Sequence, residues 1–264
     1  MPRFCANLTL LYNEAPFPER FQKAASAGFK GVEYLFPYDY PAEVLREKLE
    51  KNKLQQVLHN MPAGDWGKGD RGIACDPKRV GEFQDSVEKA ITYAKALDCQ
   101  QINCLAGLTP ANVPAQTVRE TFIRNLQFTA PLFKAAGIRL LIEPINDRID
   151  MPGFYLNHTQ QALDIIAATG SDNLFLQYDI YHMQIMEGNL ALTIEKNLSH
   201  IAHLQLADHP GRHEPGTGEI QYPFLFDVID KIGYPGWIGC EYKPSTDTDA
   251  GLGWLKPYID HRAP

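Results

Sequence analysis

Short apolar runs alternate with longer amphipathic stretches along the whole chain, and that alternation sets the expected elements. Compact apolar runs bounded by turn formers predict strands at Arg3–Leu8, Gly31–Phe36, Leu54–Asn60 and Gln100–Ala106. The second half adds Ile138–Ile145, Leu174–His182, Ile201–Asp208 and Gly236–Tyr242. Apolar residues at helical spacing predict helices at Pro18–Ala27, Ala42–Asn52, Pro77–Leu97 and Gln116–Ala136. Further helices are expected at Thr159–Thr169, Leu190–Leu198, Tyr222–Ile232 and Gly253–Ile259. Gly28, Gly137 and Gly233 stand where a helix gives way to a strand, a point that favours a left-handed cap. Pro77 and Pro223 suit a first helical turn, where the missing N–H costs nothing.

Strand–helix units repeated eight times within 264 residues predict an α/β fold, a single (β/α)8 TIM barrel spanning residues 1–264. An open doubly wound sheet would need a glycine-rich phosphate turn, and no GxGxxG follows an early strand. Internal repeats, low-complexity segments and linkers are not evident.

Composition narrows the function. A net charge of -7 argues against a nucleic-acid binder, which needs a basic field to displace counterions from phosphates. The same charge means that an acidic substrate would require a local cation or arginine. No run reaches the roughly 18 apolar residues of a spanning helix, so no membrane partner is expected. Met1 to Glu14 is too interrupted for a secretory signal. Five cysteines, Cys5, Cys75, Cys99, Cys104 and Cys240, form no CxxC pair, which suggests reduced thiols in the cytoplasm.

Strands of a parallel barrel are buried on both faces, so polar residues within them are anomalous. Four consecutive predicted strands break that rule near their C-terminal ends: Glu143 in LLIEP, Asp179 in LFLQYD, Gln205 in HLQL and Glu241 in WIGCE. That end of a barrel is where active sites are built. Any one of the four could be satisfied by a neighbouring backbone group; four on consecutive strands point to a site. Carboxylates about 4 Å apart repel by about 4 kcal/mol per pair at an effective dielectric near 20, so they must protonate or share a cation. Three carboxylates and an amide form an all-oxygen set, which suits Mg²⁺ or Mn²⁺ better than zinc; no organic cofactor is expected. His182, three residues past Asp179, and Arg212, in the turn-rich stretch HPGRHEPG, are candidate substrate-binding groups. Lys243, Arg71, His59 and Glu33 are lesser candidates, each read first as structural or exposed, with His59 and Lys243 kept as substrate-binding residues. The loop Met61 to Trp66 reads as a lid or an ordinary surface loop.

With these residues identified, the chain resembles the hydroxypyruvate isomerase family within the xylose isomerase-like barrel superfamily. The resemblance is carried by GVEYLFPYD from Gly31, LHNMPAGDW from Leu58, LIEPIN from Leu141, QYDIYHMQ from Gln177, HPGRHEPGTGEI from His209 and GCEYKP from Gly239. It implies that Glu143, Asp179, Gln205 and Glu241 are metal ligands and that Glu143 and Glu241 double as the acid/base pair. It implies a small hydroxy-keto acid as substrate, hydroxypyruvate first, and a role in glyoxylate use. Similar sugar 3-epimerases place a histidine where this chain has Gln205. Isomerisation of a four-carbon 2-oxo acid (2-oxo-tetronate), ketose 3-epimerisation and non-catalytic sugar-acid binding stand as alternatives. An endonuclease of the same barrel class would call for a histidine-rich multi-zinc site and a basic surface. The sequence leaves the oligomeric state open, a homo-oligomer included.

Overall fold

The computed structural model describes residues 1–259. The strands are β1 (Arg3–Asn7), β2 (Gly31–Glu33), β3 (Gln55–Asn60), β4 (Gln101–Asn103), β5 (Arg139–Ile142), β6 (Leu174–Asp179), β7 (Ile201–Leu206) and β8 (Trp237–Cys240). They pair in sequence order, all parallel, and β8 returns to β1 to close the barrel. The helices are α1 (Phe17–Ser26), α2 (Ala42–Asn52), α3 (Val80–Ala96), α4 (Ala115–Ala135), α5 (Thr159–Thr169), α6 (Ile180–Met186), α7 (Leu190–Lys196), α8 (Tyr222–Lys231) and α9 (Lys256–Ile259). The expected α/β barrel is therefore present. Among the described residues no helix is long and apolar enough to cross a membrane.

Two apolar layers hold the barrel together. The larger lies between strands and helices, where outward residues such as Ala6, Val32, Leu140, Leu176 and Leu204 are fully buried. The smaller plugs the barrel floor and consists of Cys5, Val57, Leu58, Leu141, Ala202 and Trp237, with Phe175 against it. Successive strand residues point to opposite faces, so the inward positions above this floor become the walls of a cup.

The sequence reading of the elements needs correction in three places. The strand expected over Leu174–His182 ends at Asp179, whose side chain caps α6 by accepting from the Tyr181 and His182 amides. A capping aspartate ends the extended run because it satisfies the free N–H groups of the helix that follows. Pro77 does not open a helix: α3 begins at Val80, after a turn in which the Asp76 carboxylate accepts from the Lys78 amide. The terminal helix expected over Gly253–Ile259 is a 3-10 segment, Ala250–Leu255, leading into the short α9. Gly137 and Gly233 take the expected left-handed conformation, with φ of 74° at both.

Candidate active site

Every strand carries one inward polar residue at or beside its C-terminal end. Asn7, Glu33, Asn60 and Asn103 are the last residues of β1 to β4, and Asp179 is the last of β6. Gln205 is the penultimate residue of β7, while Glu143 and Glu241 follow directly on β5 and β8. All are buried. The ring is joined by hydrogen bonds: Asn103 donates to Asn60 Oδ1 at 3.2 Å and to Glu143 Oε2 at 2.8 Å. Asn7 donates to Glu33 at 3.0 Å and to Glu241 at 3.2 Å. The Gln205 amide donates to Glu33 at 2.8 Å and to the Glu241 carboxylate.

Glu143, Asp179 and His182 each bring a ligand atom to within 4.8 Å of the others. Asp179 Oδ1 is used in capping α6, but Oδ2 is buried and has no hydrogen-bond partner among the described residues. Burial raises the pKa of Glu143 well above the usual glutamate value, and the neighbouring charges of Glu241 and Asp179 add to it. Glu241 is raised by burial as well, against the opposing effect of Arg212 beside it. Two buried glutamates whose charged forms are disfavoured, next to an aspartate oxygen that accepts no hydrogen bond among the described residues, have the chemistry of a divalent cation site. The donor set fits such an ion.

Arg212 reaches over this cluster from the loop after β7, with a φ of 59°. Its guanidinium pairs with Glu241 at 2.6 Å and with Asp150 at 3.1 Å, and lies 5.1 Å from the centre of the Tyr181 ring. Its Nε is buried with no hydrogen-bond partner among the described residues. Asp208 anchors the same loop by accepting from the amides of His209, Gly216 and Ile220. The Lys243 amide donates to the Arg212 carbonyl at 2.7 Å, so the backbone at Lys243 pins the arginine while its own side chain is exposed.

His182 has a defined tautomer. Asn146 Oδ1 accepts from the Ile149 and Asp150 amides, so its NH2 group must face the other way. That group lies 2.6 Å from His182 Nδ1, which therefore accepts, leaving the proton on Nε2. Burial lowers the His182 pKa to about 4 despite nearby Asp179, so the ring is neutral at ordinary pH.

His59 lies apart from this group. Its neighbour Asn60 joins the inward ring, so His59 points outward, with its ring 6.1 Å from that of Tyr38. Among the described residues neither of its nitrogens has a hydrogen-bond partner, and burial lowers its pKa to about 3. The sequence reading missed Asn7, Asn60, Asn103, Asn146 and Asp150. Three of these sit at the last position of a strand, the same signal that exposed the acidic residues, but a neutral amide there drew less notice than a charge.

Within the ring, Glu33 pairs with His203 at 2.6 Å, both fully buried. Burial alone would raise Glu33, but His203, Gln205 and Asn7 outweigh it and its pKa is lowered. Space for this carboxylate exists because residue 239 is glycine: a Cβ there would stand 2.3 Å from Glu33 Oε1.

Comparison with known proteins agrees with this architecture. A family model described as "Xylose isomerase-like TIM barrel" matches residues 21–258. The chain is 54% identical to hydroxypyruvate isomerase of Escherichia coli (strain K12), over 98% of this chain and 100% of that protein. It is 47% identical to 2-oxo-tetronate isomerase of Cupriavidus necator, over 98% and 99%. A crystal structure from Brucella melitensis, named as an AP endonuclease of family 2, superposes with a TM-score of 0.96 at 46% identity, covering 98% of this chain and 100% of that one. By sequence and by the barrel that carries its polar ring, the chain belongs to the xylose isomerase-like TIM barrel family.

Proposed function

We propose that this protein is an isomerase that interconverts hydroxypyruvate and tartronate semialdehyde. The reading is carried by one feature: two buried glutamates with raised pKa, Glu143 and Glu241, stand beside Asp179, whose Oδ2 accepts no hydrogen bond among the described residues and has His182 Nε2 3.7 Å away. Full-length similarity to hydroxypyruvate isomerase supports the substrate.

The reaction moves a proton from C3 of hydroxypyruvate to C2 through an enediolate. Glu143, Asp179, Gln205 and Glu241 would hold the cation, Mg²⁺ or Mn²⁺. When bound, that ion supplies positive charge against the oxyanion that develops on the substrate. One of the two glutamates takes the carbon-bound proton and the other returns one to the neighbouring carbon. The Nε2–H of His182 donates to the reacting oxygens, while a proton passes from the C3 hydroxyl to the C2 oxygen. Arg212 holds the substrate carboxylate, for which its unpartnered Nε–H is available. Asp150, paired to Arg212, Tyr181 and Asn146, keeps the guanidinium in place.

An endonuclease reading has little support. His182 is the one histidine within the acidic cluster among the described residues, and the net charge of -7 opposes a phosphate backbone. The five cysteines are all buried and unpaired, in keeping with a reducing, cytoplasmic setting. Turnover of hydroxypyruvate, 2-oxo-tetronate and a ketohexose, measured side by side with Mn²⁺ present, tests the proposal. Hydroxypyruvate should give the highest kcat/KM, and preference for the four-carbon acid would reassign the substrate. Glu143→Gln should lower kcat by about 10²-fold or more with the fold intact; a wild-type rate would remove it from the chemistry.

A further inference from the structure

The amide at Gln205 poses a problem that a carboxylate ligand would not. A carboxamide has nearly the same shape either way round, yet only its oxygen binds a hard cation. We propose that Glu33 is a positioning residue that holds the Gln205 amide one way round, so that it offers oxygen rather than nitrogen to the cation. The inference rests on the reading of Gln205 as a metal ligand.

An ionised carboxylate only accepts hydrogen bonds, so whichever end of the Gln205 amide faces Glu33 must be the NH2 end. That bond is present at 2.8 Å. The amide oxygen then points away, where it accepts from Gln177 at 2.6 Å and keeps a second lone pair. Glu33 itself has no freedom to turn. Its Oε2 takes the His203 ring nitrogen at 2.6 Å and its Oε1 also takes Asn7 at 3.0 Å. His203 is held in turn by Gln101 at 3.2 Å.

A different network would be available without this carboxylate. Gln177 turns its NH2 group to Gln205, and its Oε1 is a buried acceptor with no hydrogen-bond partner among the described residues, so with both amides reversed Gln205 could donate to Gln177 Oε1 instead. Glu241 also receives the Gln205 NH2 group, but Glu241 is itself a proposed ligand and is claimed by Arg212. Glu33 is the acceptor that remains committed to Gln205 throughout, and with no exposed surface it reaches the reaction only through other side chains.

The test is calorimetric titration of metal-stripped enzyme with Mn²⁺ in a double-mutant cycle. Wild type, Glu33→Leu, Gln205→Glu and the double variant are compared, each shown to be folded by circular dichroism. With Gln205 present, Glu33→Leu should weaken Mn²⁺ binding by about 10-fold or more, the range for residues that orient metal ligands. With Gln205→Glu, either oxygen can bind and two carboxylates would face each other, so removing Glu33 should leave affinity unchanged or raise it. Glu33→Gln, nearly isosteric, covers the case in which the leucine variant does not fold. An amide at residue 33 both donates and accepts, so the same pattern is expected with a smaller loss. Equal losses in both backgrounds, or no loss with Gln205 present, would overturn the role assigned to Glu33. If the wild type itself takes up no Mn²⁺, the proposed metal site fails and this inference with it, an outcome distinct from the other two.

Discussion

Gly239→Ala tests how tightly the floor of the cup is packed. The added Cβ would sit 2.3, 2.4 and 2.5 Å from Glu33 Oε1, Oε2 and Cδ. Ordinary contact begins near 3.4 Å, so the carboxylate must retreat by about an ångström, toward the spacing of normal van der Waals contact. Glu33 cannot do so and keep its bonds to His203 at 2.6 Å, Gln205 at 2.8 Å and Asn7 at 3.0 Å. Overpacking a buried site costs about 1–3 kcal/mol, and weakening bonds to a buried charge adds about 1–3 kcal/mol more. A total near 3 kcal/mol, at about 2 °C per kcal/mol for a chain of this size, lowers Tm by about 6 °C. Differential scanning calorimetry of metal-stripped enzyme measures it. Gly81→Ala is the control: nothing lies within 4 Å of its Cβ, in the first turn of α3, and alanine there should be neutral or mildly stabilising. A Gly239→Ala variant that melts with the wild type would refute the reasoning, because the carboxylate would then have somewhere else to go.

Four further outcomes follow from the site. Mn²⁺ affinity should rise with pH between the ordinary glutamate value of 4.5 and about 8, because the empty site holds protons there that the ion must displace. Over that window the metal-free fold should lose stability as pH rises, since carboxyls raised by folding favour the protonated form; titrations in buffers of different ionisation enthalpy would expose an affinity that ignores pH. Arg212→Ala should chiefly raise KM for hydroxypyruvate, and steady-state kinetics with KM and kcat both unchanged would take Arg212 out of the site. His59→Leu should keep full activity and wild-type stability within about 1 kcal/mol, because no hydrogen bond is lost; a large fall in kcat/KM would show that the outward histidine reaches the substrate after all.

The class of fold and four members of the polar ring, those on the last four strands, could be read from the sequence alone. Period and punctuation are local properties, so the strand–helix alternation was legible without any knowledge of contacts, and a charge inside an apolar strand announces itself. Glu143, Asp179 and Glu241 were visible for that reason, and Gln205 because it falls at the same place on the strand between Asp179 and Glu241. What those residues meet is set by the folded barrel. Register around the closed barrel brings Asn7 and Glu33 of the first two strands against Glu241 and Gln205 of the last two. Residues 234 positions apart cannot be paired from a pattern of apolar runs. The alternation of faces turned His59 outward and Asn60 inward, a distinction of one residue that hinges on where the strand is anchored. Direction of the Arg212 side chain, and the glycine that makes room for Glu33, depend on three-dimensional packing, which no stretch of sequence contains.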